Sequence, residues 1–306
     1  MRFRAEISST SHFTKLITSL APLGKIATLK LKSDSVHLIC RGEGGARGGA
    51  QVWSQIAVAS IFNLDSFRLE SNHQNEIYLE VSTDALARAL KSCSGATVAT
   101  IKLAKKGGAG PNGTGKGAYP VLSLAIESSS RLGKRLEITQ DVAVKVKKAA
   151  EIAELKEPLC PQPDVILLLP DLKLLRTVAE RLKTISPYIT LTANNRGEFR
   201  MRAEADEAKV ETEWRGLKKP QGGEDELATS EESSDPSHFF SVTLEARSLL
   251  KFLASYSIAT HTIACLCHSH CAIFYVYIGD SKDQMQGGVL TFFLPAVKLG
   301  GDDEDG

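Results

Sequence analysis

The hydrophobic residues of this chain repeat an order of strand, helix and strand. Residues 1–7 are typical of a short strand, and the apolar residues at positions 13, 16, 17, 20 and 23 share one face of a helix. Residues 27–40 then return to strand character. The same order begins again at Glu76, Asp164 and Phe239. The pattern therefore predicts an α+β protein built from four copies of one unit.

The spacing of the copies indicates two similar halves. Phe3 and Val165 are 162 positions apart, and so are Tyr78 and Phe240. A fixed interval of this kind describes a whole architecture rather than a local motif. We therefore predict an N-terminal domain over residues 1–140 and a C-terminal domain over residues 164–299. An α+β protein whose periodicity is coincidental is the alternative.

Three segments differ in composition from these domains. Residues 141–163 begin strand-like, become charged and end in three prolines, which predicts an extended interdomain connector. Residues 218–237 are rich in Gly, Glu, Asp and Ser, so we expect a disordered acidic loop. Residues 300–306 form an acidic tail.

Charge is segregated although the chain as a whole is nearly neutral. The 37 basic and 36 acidic residues almost cancel, but the polar faces of the predicted helices carry nine cations against four anions. Such a surface suits the phosphates of any DNA sequence, and ordinary solvated helix faces are the alternative. The nine cations are Lys15, Arg88, Lys91, Lys173, Arg176, Arg181, Lys183, Arg247 and Lys251.

Composition also favours an intracellular, soluble protein. Six cysteines without a signal peptide at the start fit reduced thiols. The longest apolar run, residues 165–170, is far shorter than the roughly 20 residues that span a bilayer. We therefore expect no membrane partner.

Five short strings are distributed along nearly the whole chain: MRFRA at 1–5, NEIYLE at 75–80, RALK at 88–91, PDV at 163–165 and FLPA at 293–296. Together they resemble the Hus-type (hydroxyurea-sensitive) subunit of the DNA-damage checkpoint clamp. That family is similar to proliferating cell nuclear antigen. The resemblance implies two duplicated sliding-clamp domains, with helices on the inner face of a ring and antiparallel sheets outside.

The resemblance also implies partners and a location. The family forms a heterotrimeric ring with two Rad-type clamp subunits, and a clamp loader places it around double-stranded DNA at damage sites in the nucleus. There it serves as a scaffold that recruits checkpoint and repair proteins. A homotrimeric replication processivity clamp is the alternative. This chain departs from the family pattern in its expanded glycine-rich segment 107–117, its long acidic loop 222–235 and its acidic tail.

By analogy with the family, edge strands join the subunits and the connector binds clients. The edges implied are residues 121–128 and 209–215, and the connector is the docking region for peptide motifs. The interface residues are Val121, Leu122, Leu124, Ile126, Val210, Thr212 and Trp214. The docking residues are Val144, Val146, Ile152, Leu155 and Pro158.

Two motifs suggest chemistry but lack the context for it. Residues 107–117 match glycine-rich phosphate loops, which leaves a nucleotide-dependent enzyme as a remote alternative. Residues 119–126, however, have strand character where a phosphate loop needs a helix, and Gly117 replaces the Ser or Thr that binds magnesium. The cluster His261, Cys265, Cys267, His268, His270 and Cys271 has poor spacing for zinc. We therefore assign no catalytic residue, metal or cofactor.

Overall fold

The computed structural model describes residues 1–42, 49–109, 116–129, 135–220, 235–279 and 287–297. The chain divides into two units. The first comprises Met1–Arg41, Val52–Glu157 and Ile278–Val289, and the second comprises Gly42–Gln51, Pro158–Tyr277 and Leu290–Gly306. No helix in the described ranges has the length and apolar character needed to cross a membrane.

The first unit is an antiparallel sheet with two packed helices. Its strands lie in the order β4-β3-β2-β6-β9-β8-β7-β1-β5, and α1 packs against α2. The elements in chain order are β1 (Arg2–Glu6), α1 (Thr10–Leu20), β2 (Ile26–Leu31), β3 (Ser35–Arg41), β4 (Gln51–Ala57), β5 (Arg68–Glu70), β6 (Ile77–Ser82), α2 (Thr83–Lys91), β7 (Val98–Ala109), β8 (Lys116–Ser129), β9 (Arg135–Val146) and α3 (Ala149–Ala153).

The second unit has two runs of strands and its own helix pair. The runs are β10-β15-β16-β17 and β13-β12-β11-β14, and α4 packs against α5. The elements are β10 (Val165–Leu168), α4 (Leu172–Leu182), β11 (Tyr188–Ala193), β12 (Phe199–Ala205), β13 (Ala208–Trp214), β14 (Phe240–Glu245), α5 (Ala246–Leu253), β15 (Ala259–Cys267), β16 (Cys271–Ile278) and β17 (Gly288–Pro295).

The two units have the same topology, which confirms the predicted duplication. In the first unit β1 pairs with β7 and β2 pairs with β6. In the second unit β10 pairs with β15 and β11 pairs with β14 in the corresponding way. Each unit is therefore two β-α-β-β-β repeats, and the α+β fold expected from the hydrophobic pattern is correct.

The helices form where capping residues and apolar stripes coincide. The hydroxyl of Ser82 accepts a hydrogen bond from the Ala85 amide at the start of α2, and the Asp171 carboxylate accepts one from the Lys173 amide at the start of α4. Arg88 and Lys91 lie in the last turn of α2, where their positive charges interact favourably with the negative end of the helix dipole. The same cations are thus favourable for the helix and available at the surface.

One of the two predicted edge strands is wrong. Strand β8 pairs with β7 on one side and with β9 on the other, so it lies inside the sheet. Its residues Val121, Leu122, Leu124 and Ile126 are all buried. Consecutive buried apolar residues of this kind are typical of a strand covered on both faces, so the analogy with the family that implied an edge at 121–128 does not hold for β8. The second predicted edge, β13, ends its run and pairs with β12.

The predicted connector is partly regular structure. Its first residues complete β9, which pairs with β6 through Val144 and Val146. The short helix α3 follows, and residues 155–163 have no regular secondary structure. Residues 221–234 of the predicted acidic loop and all of the acidic tail lie outside the described residues.

We predict that replacing Gly197, in the β11–β12 turn, destabilises the protein more than replacing Gly95. Its φ is +84°, and an added Cβ would lie 2.2 Å from the Leu217 carbonyl oxygen. The matched control is Gly95, which has a φ of +77° but open space around it. Gly95→Ala should cost about 1–2 kcal/mol from backbone strain, and Gly197→Ala about 1–3 kcal/mol more from overlap. Thermal unfolding checks this, and equal Tm losses would contradict it.

Candidate nucleic-acid interface

The predicted cations lie on the helix faces that turn away from the core. In α4, Leu172, Leu175, Ala179 and Leu182 are buried, so the intervening positions face solvent. Seven of the nine cations are exposed: Lys15, Arg88, Lys91, Lys173, Arg181, Lys183 and Arg247. Arg176 and Lys251 are half-buried. Both helix pairs therefore present unburied positive charge.

Most of these cations form no ion pair with a carboxylate in the part of the chain that the structure describes. Arg176 is the exception, because its Nε donates to Glu180 Oε1 at 2.8 Å and its guanidinium lies 5.4 Å from the ring centre of Tyr256. The other eight form no ion pair with a carboxylate of the described residues. Unpaired surface cations are available for phosphate, and such contacts are independent of sequence.

Sequence reasoning missed a second basic surface on the sheet of the first unit. Arg4 in β1 lies directly opposite Arg68 in β5 and Lys102 in β7, and all three side chains are exposed. The neighbouring residue Phe3 faces the other way, where it contacts Phe62 beneath α1. The alternation of Arg2 and Arg4 signals an exposed strand face, but the register with β5 and β7 cannot be derived from sequence.

The predicted docking residues lie in different environments. Val144 is buried in β9, whereas Val146, Ile152, Leu155 and Pro158 are half-buried. Leu159, which sequence reasoning did not select, is 98% exposed. Its position in a proline-rich segment, where an apolar side chain is not covered by a helix or strand, was the signal in the sequence that could have identified it. Val144 is therefore not accessible to a partner, whereas Leu159 is.

Helix α3 is held to the end of β9 by charge. The Glu151 carboxylate accepts hydrogen bonds from Lys145 Nζ and from the Lys148 amide. These contacts, the Lys145 bond foremost, lower the pKa of Glu151 to about 2. Lys147 Nζ donates to Glu80 Oε2 at 3.0 Å. The segment that leaves the first sheet is thus anchored before the irregular residues 155–163.

The cysteines of the Cys/His cluster belong to the packed interior of β15 and β16, whereas His268 and His270 are exposed. Cys265, Cys267 and Cys271 are buried, and the His261 ring stacks on Tyr277 at 4.4 Å between centroids. His268 Nδ1 accepts a hydrogen bond from the Ser241 amide at 3.0 Å. The described residues contain no group of three or more His, Cys, Asp or Glu side chains arranged to hold a metal.

The glycine-rich segment belongs to a β-hairpin. Gly107 and Gly108 lie in β7, and Gly117 lies in β8 opposite Gly108. Residues 110–115 lie outside the described residues. From Lys116 the chain continues as strand to Ser129, where a phosphate loop would begin a helix. A cavity of about 560 Å³ lies elsewhere in this unit, between the end of β1 and residues 59–65 and 96–99.

Comparison with known proteins gives a match over almost the whole chain. The family model described as "Hus1-like protein" matches residues 1–298. The chain is 31% identical to checkpoint protein hus1 of Schizosaccharomyces pombe over 298 residues, which covers 96% of this chain and 98% of that protein. It is 29% identical to checkpoint protein HUS1 of Homo sapiens over 302 residues, with 97% and 100% covered.

Solved structures of sliding clamps share the fold. Proliferating cell nuclear antigen from Thermococcus kodakaraensis aligns with a TM-score of 0.64 at 14% identity, covering 96% of this chain and 99% of that one. The homologous protein from Entamoeba histolytica aligns with a TM-score of 0.61 at 12% identity, covering 97% and 99%. Since the family match spans residues 1–298 and the fold is that of a sliding clamp, this chain belongs to the Hus1-like protein family and is a checkpoint clamp subunit.

Proposed function

We propose that this subunit closes a heterotrimeric ring with two Rad-type clamp subunits and that the ring encircles double-stranded DNA. The observation that carries the proposal is the set of exposed, mostly unpaired cations on both helix pairs. A clamp loader places the ring at damage sites in the nucleus, where it recruits checkpoint and repair proteins. The subunit acts as a scaffold without a catalytic residue or cofactor. Its N-terminal clamp domain, predicted as residues 1–140, extends to Val146 because β9 pairs with β6 through Val144 and Val146, and its C-terminal clamp domain is residues 164–299.

The helices hold DNA weakly and without sequence preference. Each exposed Lys or Arg contacts a phosphate and releases a counterion, so the contacts are cumulative and sensitive to salt. Exposed contacts of this kind are screened over about 10 Å at 0.1 M ionic strength. Retention on DNA then comes from the closed ring rather than from affinity, which permits sliding.

Ring closure uses the open edges of the sheets. Residues 135–143 of β9 pair with β8 on one side, and within the described residues no strand pairs with their other side. Leu136 and Ile138 on this edge are 48% and 38% exposed. On β13, Val210 is 41% exposed. Edge strands with exposed apolar side chains suit intermolecular pairing. The interface strand of the first unit is therefore β9 and not β8. In the second unit it is β13, which carries Val210, Thr212 and Trp214.

Clients dock on the connector through its accessible apolar residues. Ile152, Leu155 and Pro158 are half-buried, and Leu159 extends fully into solvent. Short peptide motifs commonly insert apolar anchors beside such an extended segment. The side chains of this surface then determine which checkpoint or repair protein binds.

We predict that charge reversal on the helices lowers the salt dependence of DNA binding. In the assembled ring, Lys91→Glu/Lys173→Glu/Arg247→Glu should reduce the slope of log K against log [salt] by roughly one unit per lost phosphate contact. Folding should persist, because exposed substitutions usually change stability by about 0.5 kcal/mol or less. Duplex binding across a salt series measures the slope.

The matched control reverses the same number of charges on the opposite face of the sheet. Arg4→Glu/Arg68→Glu/Lys102→Glu should leave the slope unchanged. If the control lowers the slope while the helix variant does not, DNA binds the sheet and the proposed orientation is wrong.

We predict that the chain alone does not form a ring and that the edges are needed for the heterotrimer. Leu136→Glu/Ile138→Glu and Val210→Glu should each reduce assembly with the two partner subunits at least tenfold, because they place unpaired charge in an apolar contact. Leu64→Glu, at a position 58% exposed that belongs to neither β9 nor β13, is the control. Mass measurement of the mixtures checks this. A stable homotrimer of the isolated chain would instead favour a replication-type clamp.

A further inference from the structure

Three of the six cysteines form a cluster in the second unit. Cys160 lies in the irregular segment 155–163, Cys267 ends β15 and Cys271 begins β16. The Cys271 side chain is hydrogen-bonded to both Cys160 and Cys267. The Cys267 thiol also reaches the Pro161 carbonyl oxygen, with 3.4 Å between Sγ and oxygen. The three sulfur atoms therefore share one contact region at the β15–β16 turn.

Only one thiol of the six reaches the surface. Cys160 is half-buried, whereas Cys40, Cys93, Cys265, Cys267 and Cys271 are buried. Burial raises the pKa of Cys40 and of Cys265 to about 12, so these thiols stay protonated and react poorly. Cys160 is thus the thiol that a dissolved oxidant meets first.

Cys271 is placed to act as a resolving cysteine. Its side chain is hydrogen-bonded to half-buried Cys160 and to Cys267, and the Cys267 thiol lies against Pro161, the residue that follows Cys160. These hydrogen bonds and burial raise the pKa of Cys271, so its contact with the Cys160 sulfur, rather than its acidity, would let it react with a sulfenic acid there.

We propose that Cys160 and Cys271 form a reversible disulfide when the protein meets hydrogen peroxide. The Cys160 sulfur attacks one peroxide oxygen, the O–O bond breaks, and Cys160 sulfenic acid and one water result. The Cys271 sulfur then attacks the Cys160 sulfur, the S–O bond breaks, and the departing hydroxyl leaves as water with the thiol proton. Two thiols are oxidised by two electrons, and one peroxide is reduced to two waters.

The disulfide would fasten the segment 155–163 to the start of β16. Without it, Cys160 is retained there by weak thiol contacts, while Leu159 beside it extends into solvent. In a reducing compartment such a bond is transient, as redox-sensing disulfides are. This inference is independent of ring formation, so the two can fail separately.

The test is disulfide mapping of the folded full-length chain. After limited hydrogen peroxide, the remaining thiols are alkylated in denaturant and the peptides identified by mass spectrometry. We expect two of six thiols to be lost, a Cys160–Cys271 linked peptide, and recovery with dithiothreitol. Cys93→Ser, which removes a buried cysteine outside the cluster, should still form the bond.

Two variants separate the attacking thiol from the resolving one. After the same peroxide treatment, the thiol loss of Cys160→Ser should be at least tenfold smaller than that of the wild type. Cys271→Ser should instead accumulate a sulfenic acid at Cys160, which dimedone traps. Cys160 is half-buried, so its serine variant tests the idea even if Cys271→Ser folds poorly. Loss of thiols at the wild-type rate in Cys160→Ser, or a wild-type bond that joins any other pair, overturns the proposal.

Discussion

The rest of this structure depends on the burial of one apolar stripe from each long helix against a sheet. The stripe in α4, formed by Leu172, Leu175, Ala179 and Leu182, leaves no room for charge on the inner face. Lys and Arg therefore occupy the outer face, where their side chains are solvated. Because the same packing recurs in all four β-α-β-β-β repeats, one constraint creates both the core and the basic surfaces of the two units.

Strand pairing decides what remains open at the edges. Strand β8 has a hydrogen-bonded strand on each side. By contrast, residues 135–143 of β9 and the outer side of β13 present backbone N–H and C=O groups at sheet edges, beside exposed Leu136, Ile138 and Val210. Such edges would invite aggregation in a monomeric protein. In the ring that we propose, these edges contact the neighbouring subunits and the helices remain available for DNA.

Most of the fold and part of the site could be predicted from the sequence. Local periodicity located α1, α2, α4 and α5, and it placed cations such as Lys173 on solvent-facing positions, because helical phase depends only on spacing. The edge at β8 was wrong because strand order depends on long-range pairing. The row of Arg4, Arg68 and Lys102, and the contact of Cys160 with Cys271, join residues far apart in sequence and needed the three-dimensional structure.

We propose that the assembled clamp holds DNA by topology rather than by affinity. To test this, the ring is loaded onto a nicked circular plasmid with the clamp loader, washed at high salt, and the plasmid is then linearised with a restriction enzyme. We expect the ring to stay on the circle through the wash and to leave the linear molecule by sliding off its ends. A ring that is lost from the intact circle at high salt, or that remains after linearisation, would contradict it.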